Sequence, residues 1–128
     1  MIHHPTRVLV VDDNQPSALT LSWVLEDNGH DVRTCYNGRD AVEMAREFHP
    51  DVVLLDVGMP DMDGLETCRA LRRQSDMNHA MIIAQTAWGD DSMRERTHAA
   101  GFDLHLVKPL DLAEVEKLVA TPFRSLDA

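Results

Sequence analysis

The stretch Asp51-Val52-Val53-Leu54-Leu55-Asp56-Val57-Gly58 decides the fold. Four apolar side chains follow one another without a break and end on a carboxylate. A strand with one face in water alternates apolar and polar residues. A continuous apolar run of this length instead fits a strand of a parallel sheet, covered by helices on both faces.

Outward from this run the same pattern recurs. Val8 to Val11 and Met81 to Ala84 are continuous, and Leu104 to Val107 is interrupted only by His105. A weaker strand is predicted from Asp31 to Tyr36, where Val32, Thr34 and Tyr36 share one face at a spacing of two, as on a sheet edge.

Helical spacing fills the gaps between strands. From Pro16 to Asn28, Ala18, Leu21, Val24 and Leu25 form an apolar stripe, with Pro16 suited to the first turn and Gly29 to a left-handed stop. Asn37 is a candidate N-cap for a second helix bearing Ala41, Met44, Ala45 and Phe48, stopped by Pro50. Leu65, Cys68 and Leu71 mark a third helix running to Arg73. A fourth runs from near Asp90 to Ala100 and ends at Gly101, and a fifth from Leu112 to Ala120 follows Asp111 as N-cap.

Strand and helix thus alternate five times. The expected fold is α/β: a flavodoxin-like (βα)5 three-layer sandwich with a parallel sheet in the order 2-1-3-4-5. The chain of 128 residues is expected to form a single domain over residues 1–128, with a core at about 7–120 and a short tail at 121–128.

Composition narrows the function. A formal net charge of −10 opposes direct binding to nucleic acid, which needs Lys and Arg against phosphates. No apolar run approaches the roughly 20 residues that span a bilayer, so membrane insertion is not expected. Cys35 and Cys68 lack a C-x-x-C spacing, and the start of the chain lacks a signal-peptide pattern, which suits a reducing cytoplasm. His3 and His4 read as an exposed terminal pair.

In an open parallel sheet, ligands bind beyond the carboxyl ends of the strands, where strand order reverses. Asp12 and Asp13 follow the first strand, Asp56 the third, Thr86 the fourth, and Lys108-Pro109 the fifth. Three carboxylates gathered there repel: at about 5 Å and an effective dielectric near 20, each pair costs roughly 3 kcal/mol. A hard divalent cation with oxygen ligands, Mg²⁺, compensates best. Lys108 adds a positive charge, while the Thr86 hydroxyl and backbone N–H groups after Asp56 suit the oxygens of a tetrahedral anion. The set fits phosphoryl chemistry with Asp56 as nucleophile. Singly, each residue has a structural explanation: Asp12 and Asp13 as a helix-cap region, Asp56 as a loop start, Thr86 as a cap of the fourth helix, and Lys108-Pro109 as a turn.

The pieces VLVVDDN (8–14), DVVLLDVGMPDMDGLE (51–66), IIAQTA (82–87) and GFDLHLVKP (101–109) resemble the receiver domain of two-component response regulators, over the span from Arg7 to Ala120. The resemblance implies that Asp56 accepts a phosphoryl group from a histidine kinase or a histidine phosphotransfer protein. It also implies that Asp13, Asp56 and the backbone carbonyl of Gly58 ligate Mg²⁺, with Asp12 assisting directly or through water. Lys108 then pairs with the carboxylate or phosphoryl group, Thr86 turns to a phosphoryl oxygen, and the Lys108-Pro109 bond is cis. Met59, Pro60 and Gly64 match the loop after the acceptor. Output to an effector protein passes through the face of the fourth helix, fifth strand and fifth helix, and the domain is a signalling module that catalyses only its own phosphorylation and dephosphorylation. The sequence departs from the family at His105, where Tyr or Phe is usual. The stretch from Gln85 to Asp90, with Trp88 as a partly exposed loop residue, together with GFDLHLVKPLD (101–111), is more similar to receivers attached to hybrid sensor kinases than to those preceding DNA-binding domains.

Two rivals fit less well. A haloacid-dehalogenase-type phosphohydrolase places a second acid two residues after its nucleophile, where this chain has Gly58. A nucleotide-binding flavodoxin-like protein wants a Gly- or Ser/Thr-rich loop after the first strand, where this chain has DDNQPS.

Overall fold

The computed structural model describes residues 5–59, 62–87 and 89–122; His3, His4, Pro60 and Trp88 lie outside them. In chain order the elements are β1 (Arg7–Val11), α1 (Gln15–Asp27), β2 (Asp31–Cys35), α2 (Gly38–Phe48), β3 (Val52–Asp56), α3 (Gly64–Arg72), a 3-10 turn (Ser75–Met77), β4 (Met81–Thr86), α4 (Asp91–Ala100), β5 (Leu104–Val107) and α5 (Leu112–Ala120). The strands form one parallel sheet in the order β2-β1-β3-β4-β5. This is the expected flavodoxin-like topology.

Because side chains alternate across a strand, each apolar run feeds two cores. Leu9, Val11, Val53, Leu55, Ile82 and Ala84 pack with residues of α2, α3 and α4. Val8, Val10, Val52, Leu54, Met81 and Ile83 pack with Ala18, Leu21 and Leu25 of α1 and with Val115 and Val119 of α5. All twelve of these strand residues are fully buried. That two-sided burial is why the strands read as unbroken apolar runs rather than as alternating ones.

Local chemistry fixes where each helix begins. Asn14, Asn37, Asp63, Asp90 and Asp111 each accept a hydrogen bond from a backbone N–H of the first helical turn. A cap of this kind contributes about 1 kcal/mol.

Some details depart from the expectations. Val24 is only half-buried; Ser22 takes its place in the interior, its hydroxyl donating to the Ala18 carbonyl at 2.8 Å. The second helix stops before Pro50 is reached, because His49 adopts a left-handed conformation (φ 53°) and donates its N–H to the Ala45 carbonyl. Met77, in a 3-10 turn not expected from the sequence, is fully buried.

Candidate functional site

The sheet delivers its polar residues to one edge through a continued ladder. Beyond the strands, Asp12 N–H donates to the Cys35 carbonyl at 3.1 Å, Val57 N–H to the Gln85 carbonyl at 2.9 Å and Lys108 N–H to the Thr86 carbonyl at 2.8 Å. Asp12, Lys108 and the residue after Asp56 are thereby held by neighbouring strands. Behind them, Gly64 N–H donates to the Val57 carbonyl at 3.0 Å. A Cβ on Gly64 would stand 2.5 Å from both the Asp56 carbonyl oxygen and Val57 Cα, so no side chain fits there.

Asp12, Asp13 and Asp56 each bring a carboxylate oxygen to within 4.8 Å of the other two. Asp12 and Asp56 are buried, at 3% and 6% exposure, while Asp13 faces solvent. Lys108 Nζ lies 3.6 Å from Asp12 Oδ2 and 3.5 Å from Asp56 Oδ2. Backbone donors hold the other oxygens: Asn14 N–H to Asp12 Oδ1 at 2.9 Å and Gly58 N–H to Asp56 Oδ1 at 3.1 Å.

The Asp56 carboxyl titrates above the usual carboxylate range. Burial is the main cause, since it penalises the charged form, and the Asp12 carboxylate adds to it; the Gly58 N–H and Lys108 pull the other way. One lysine against three acids leaves the cluster net negative. An all-oxygen set this close, with one member open to water, has the donor chemistry and the charge that a small hard cation such as Mg²⁺ requires.

The candidate residues converge at this edge of the sheet, Asp12 and Asp13 through their cluster with Asp56. Gly58, Thr86 and Lys108 line the same cavity of about 450 Å³ as Asp56. The single-residue explanations give way: α1 is capped by Asn14 and α4 by Asp90, and Lys108 is engaged with two carboxylates. The Lys108-Pro109 bond is cis, and Met59 is buried. His105, on the edge strand β5, is half-buried, with Nδ1 3.1 Å from Thr97 Oγ1 on α4.

Residues 8–120 match the response regulator receiver domain. The chain belongs to that family. Among solved structures, this receiver domain is similar to the chemotaxis protein CheY4 of Vibrio cholerae, with 32% identity over 89% of this chain and 95% of that one and a TM-score of 0.85. The receiver domain of the sensor histidine kinase PA1611 from Pseudomonas aeruginosa, a structure with a magnesium ion coordinated in its active-site cleft, is 29% identical over 91% of this chain and 95% of that one, with a TM-score of 0.82. The receiver domain of the Francisella response regulator 1452 is 27% identical over 89% and 93%, with a TM-score of 0.81. Receiver domains are signalling domains of two-component systems.

The sequence reading missed part of the cavity lining. Asp63, Met93 and Arg96 also line the cavity. Their signal was present: Met93, Arg96, Thr97 and Ala100 stand at i, i+3, i+4 and i+7, one face of a helix. Too few of these are apolar for the face to read as buried.

Proposed function

We propose that this receiver domain, taken as one unit over the whole chain, accepts a phosphoryl group on Asp56 from a histidine kinase or a histidine phosphotransfer protein, in a Mg²⁺-dependent step. The observation that carries the reading is the pairing of Lys108 with both Asp12 and Asp56, inside a cluster of three acids. A cation between two buried carboxylates keeps Asp56 ionised enough to attack, yet leaves an oxygen free of the Gly58 N–H.

In the step, an Asp56 carboxylate oxygen bonds to phosphorus while the phosphorus–nitrogen bond to the donor imidazole breaks, the imidazole keeping the electron pair. Transfer of this kind needs positioning and charge neutralisation more than covalent assistance. Asp12, Asp13, Asp56 and the Gly58 carbonyl would hold Mg²⁺, which would supply neutralisation of charge on the transferring group. Lys108 then follows the phosphoryl group, and the Thr86 hydroxyl donates to one of its oxygens. The domain acts on nothing beyond its own phosphorylation and dephosphorylation.

Phosphorylation shifts a two-state equilibrium read by an effector protein at the face of α4, β5 and α5. The contact between Thr97 and His105 ties α4 to β5 within that face. Direct nucleic-acid binding is not proposed, given the net charge of −10. No helix among the described residues is long and apolar enough to cross a membrane. We place the domain in the cytoplasm, where its two buried cysteines, outside any disulfide, stay reduced.

The test is direct. The protein is incubated with acetyl phosphate, with and without Mg²⁺, and intact mass is followed. One added phosphoryl group, dependent on Mg²⁺ and absent from Asp56→Asn, is expected. Equal labelling of Asp56→Asn overturns the assignment.

A further inference from the structure

We propose that Arg96 is a second cationic contact for the phosphoryl group, a substrate-touching role beyond those of Lys108 and Thr86. The proposal rests on the phosphoacceptor reading above. Arg96 is carried by α4 and lines the cavity that holds Asp56, Thr86 and Lys108. Its side chain is exposed, and among the described residues it has no hydrogen bond or ion pair. Arg72 is engaged with Asp103, Arg46 with Glu43 and Arg94 with the Gly89 carbonyl; Arg96 is the arginine that lines the Asp56 cavity.

The neighbours of Arg96 keep it at the rim. Thr97 is buried, its Oγ1 donating to the Arg94 carbonyl at 3.0 Å and lying 3.1 Å from His105 Nδ1. Met93, one turn earlier, packs against the core beneath α3. The helix face is thereby fixed, and of the two α4 side chains that line the cleft, Met93 and Arg96, only the arginine carries charge.

Charge counting gives this cation a purpose. Three acids and one lysine sum to two negative charges, which a divalent cation cancels. On transfer, Asp56 loses its charge while the phosphoryl group brings close to two. The site is then about one negative charge in excess. Lys108 is already divided between two carboxylates, whereas a guanidinium offers a planar fork of donors matched to phosphoryl oxygens. Arg96 supplies the missing charge as the group arrives, while bond formation at Asp56 and cleavage at the leaving atom proceed as described.

Wild type, Arg96→Ala and Arg96→Lys are compared in three measurements: phosphorylation by acetyl phosphate with Mg²⁺ followed by intact mass, affinity for the phosphoryl mimic beryllofluoride with Mg²⁺ by amide NMR shifts, and affinity for Mg²⁺ alone. Arg96→Ala is expected to label about 3- to 10-fold more slowly and to bind the mimic more weakly by a similar factor. Arg96→Lys is expected to recover part of both, and Mg²⁺ affinity alone should move less than about 2-fold in either variant. The position is exposed and helical, so alanine is tolerated structurally. If wild type labels and Arg96→Ala matches it in rate and mimic affinity, the Arg96 contact is refuted and the phosphoacceptor reading stands. An equal loss in Mg²⁺ affinity also refutes it, since Arg96 would then act only through a general field. Failure of wild type to label overturns the phosphoacceptor reading itself.

Discussion

Arg72 donates Nη2–H to Asp103 Oδ2 at 2.7 Å, an ion pair with side-chain exposures of 11% and 1% that joins the last residue of α3 to the turn before β5. Arg72 also donates to the carbonyls of Gly101, Met77 and Ala80, and Asp103 Oδ2 accepts from Ile82 N–H. The desolvated charges are thus well supplied with partners. Removing one partner of such a pair typically costs 3–5 kcal/mol. Arg72→Ala is expected to lose about that much in urea denaturation, and Asp103→Asn less, since the amide oxygen still accepts from Ile82 N–H. A loss below about 1 kcal/mol for Arg72→Ala would show the pair to be dispensable.

Two glycines near the acceptor should respond in opposite ways. A Cβ on Gly64 meets the Asp56 backbone at 2.5 Å, so Gly64→Ala must displace the strand end that carries the acceptor. A Cβ on Gly58 meets nothing nearer than Asp56 Oδ1 at 3.8 Å, an ordinary contact. Gly64→Ala is expected to destabilise by about 2 kcal/mol and to weaken Mg²⁺ binding about tenfold, from overpacking against backbone. Gly58→Ala should leave stability nearly unchanged. Thermal melts and a Mg²⁺ titration of both variants separate the two cases.

The central sheet was legible because its side chains have apolar surroundings on both faces, so burial wrote itself into sequence as unbroken runs at 8–11, 52–55 and 81–84. The acids, Thr86 and Lys108 were legible because parallel strands all end at one edge, which turns distance along the chain into proximity. Interactions made by single side chains across elements left no period to read. Arg72 reaches Asp103, Gly101, Met77 and Ala80 through side-chain length alone, and Met77 fills the core from an irregular turn. Gln85 resisted for a different reason: it is a polar residue in a buried strand, 2% exposed, and its Nε2 has no partner among the described residues.

The hydroxyl of Thr97 joins α4 to β5 at His105 Nδ1. Thr97→Val keeps the shape and removes this contact, along with the donation to the Arg94 carbonyl. A loss of about 1–2 kcal/mol is expected, because Thr97 is buried and its partners become less satisfied. Faster amide exchange should be confined to α4 and β5. Exchange that rises uniformly over the sheet would mean that the hydroxyl serves global packing instead.

Asp56 sets a pH dependence of stability in the metal-free protein. Its carboxyl is raised in the fold, chiefly by burial, above its ordinary value of 3.8. The native state therefore holds its proton to higher pH than the unfolded chain does. Stability from this group is fully present below the unfolded value and is lost as pH climbs through the folded one. Asp56→Asn removes the ionisation while keeping the shape. Without metal, the variant should gain on wild type as pH rises from 4 and level off once Asp56 is ionised in the fold. Saturating Mg²⁺ reverses the order, because it binds the folded wild type and adds about 2.7 kcal/mol at a hundredfold excess over Kd. Urea denaturation at several pH values, with EDTA or Mg²⁺, measures both effects. A difference between variant and wild type that stays flat with pH in EDTA would show that burial does not hold the Asp56 proton.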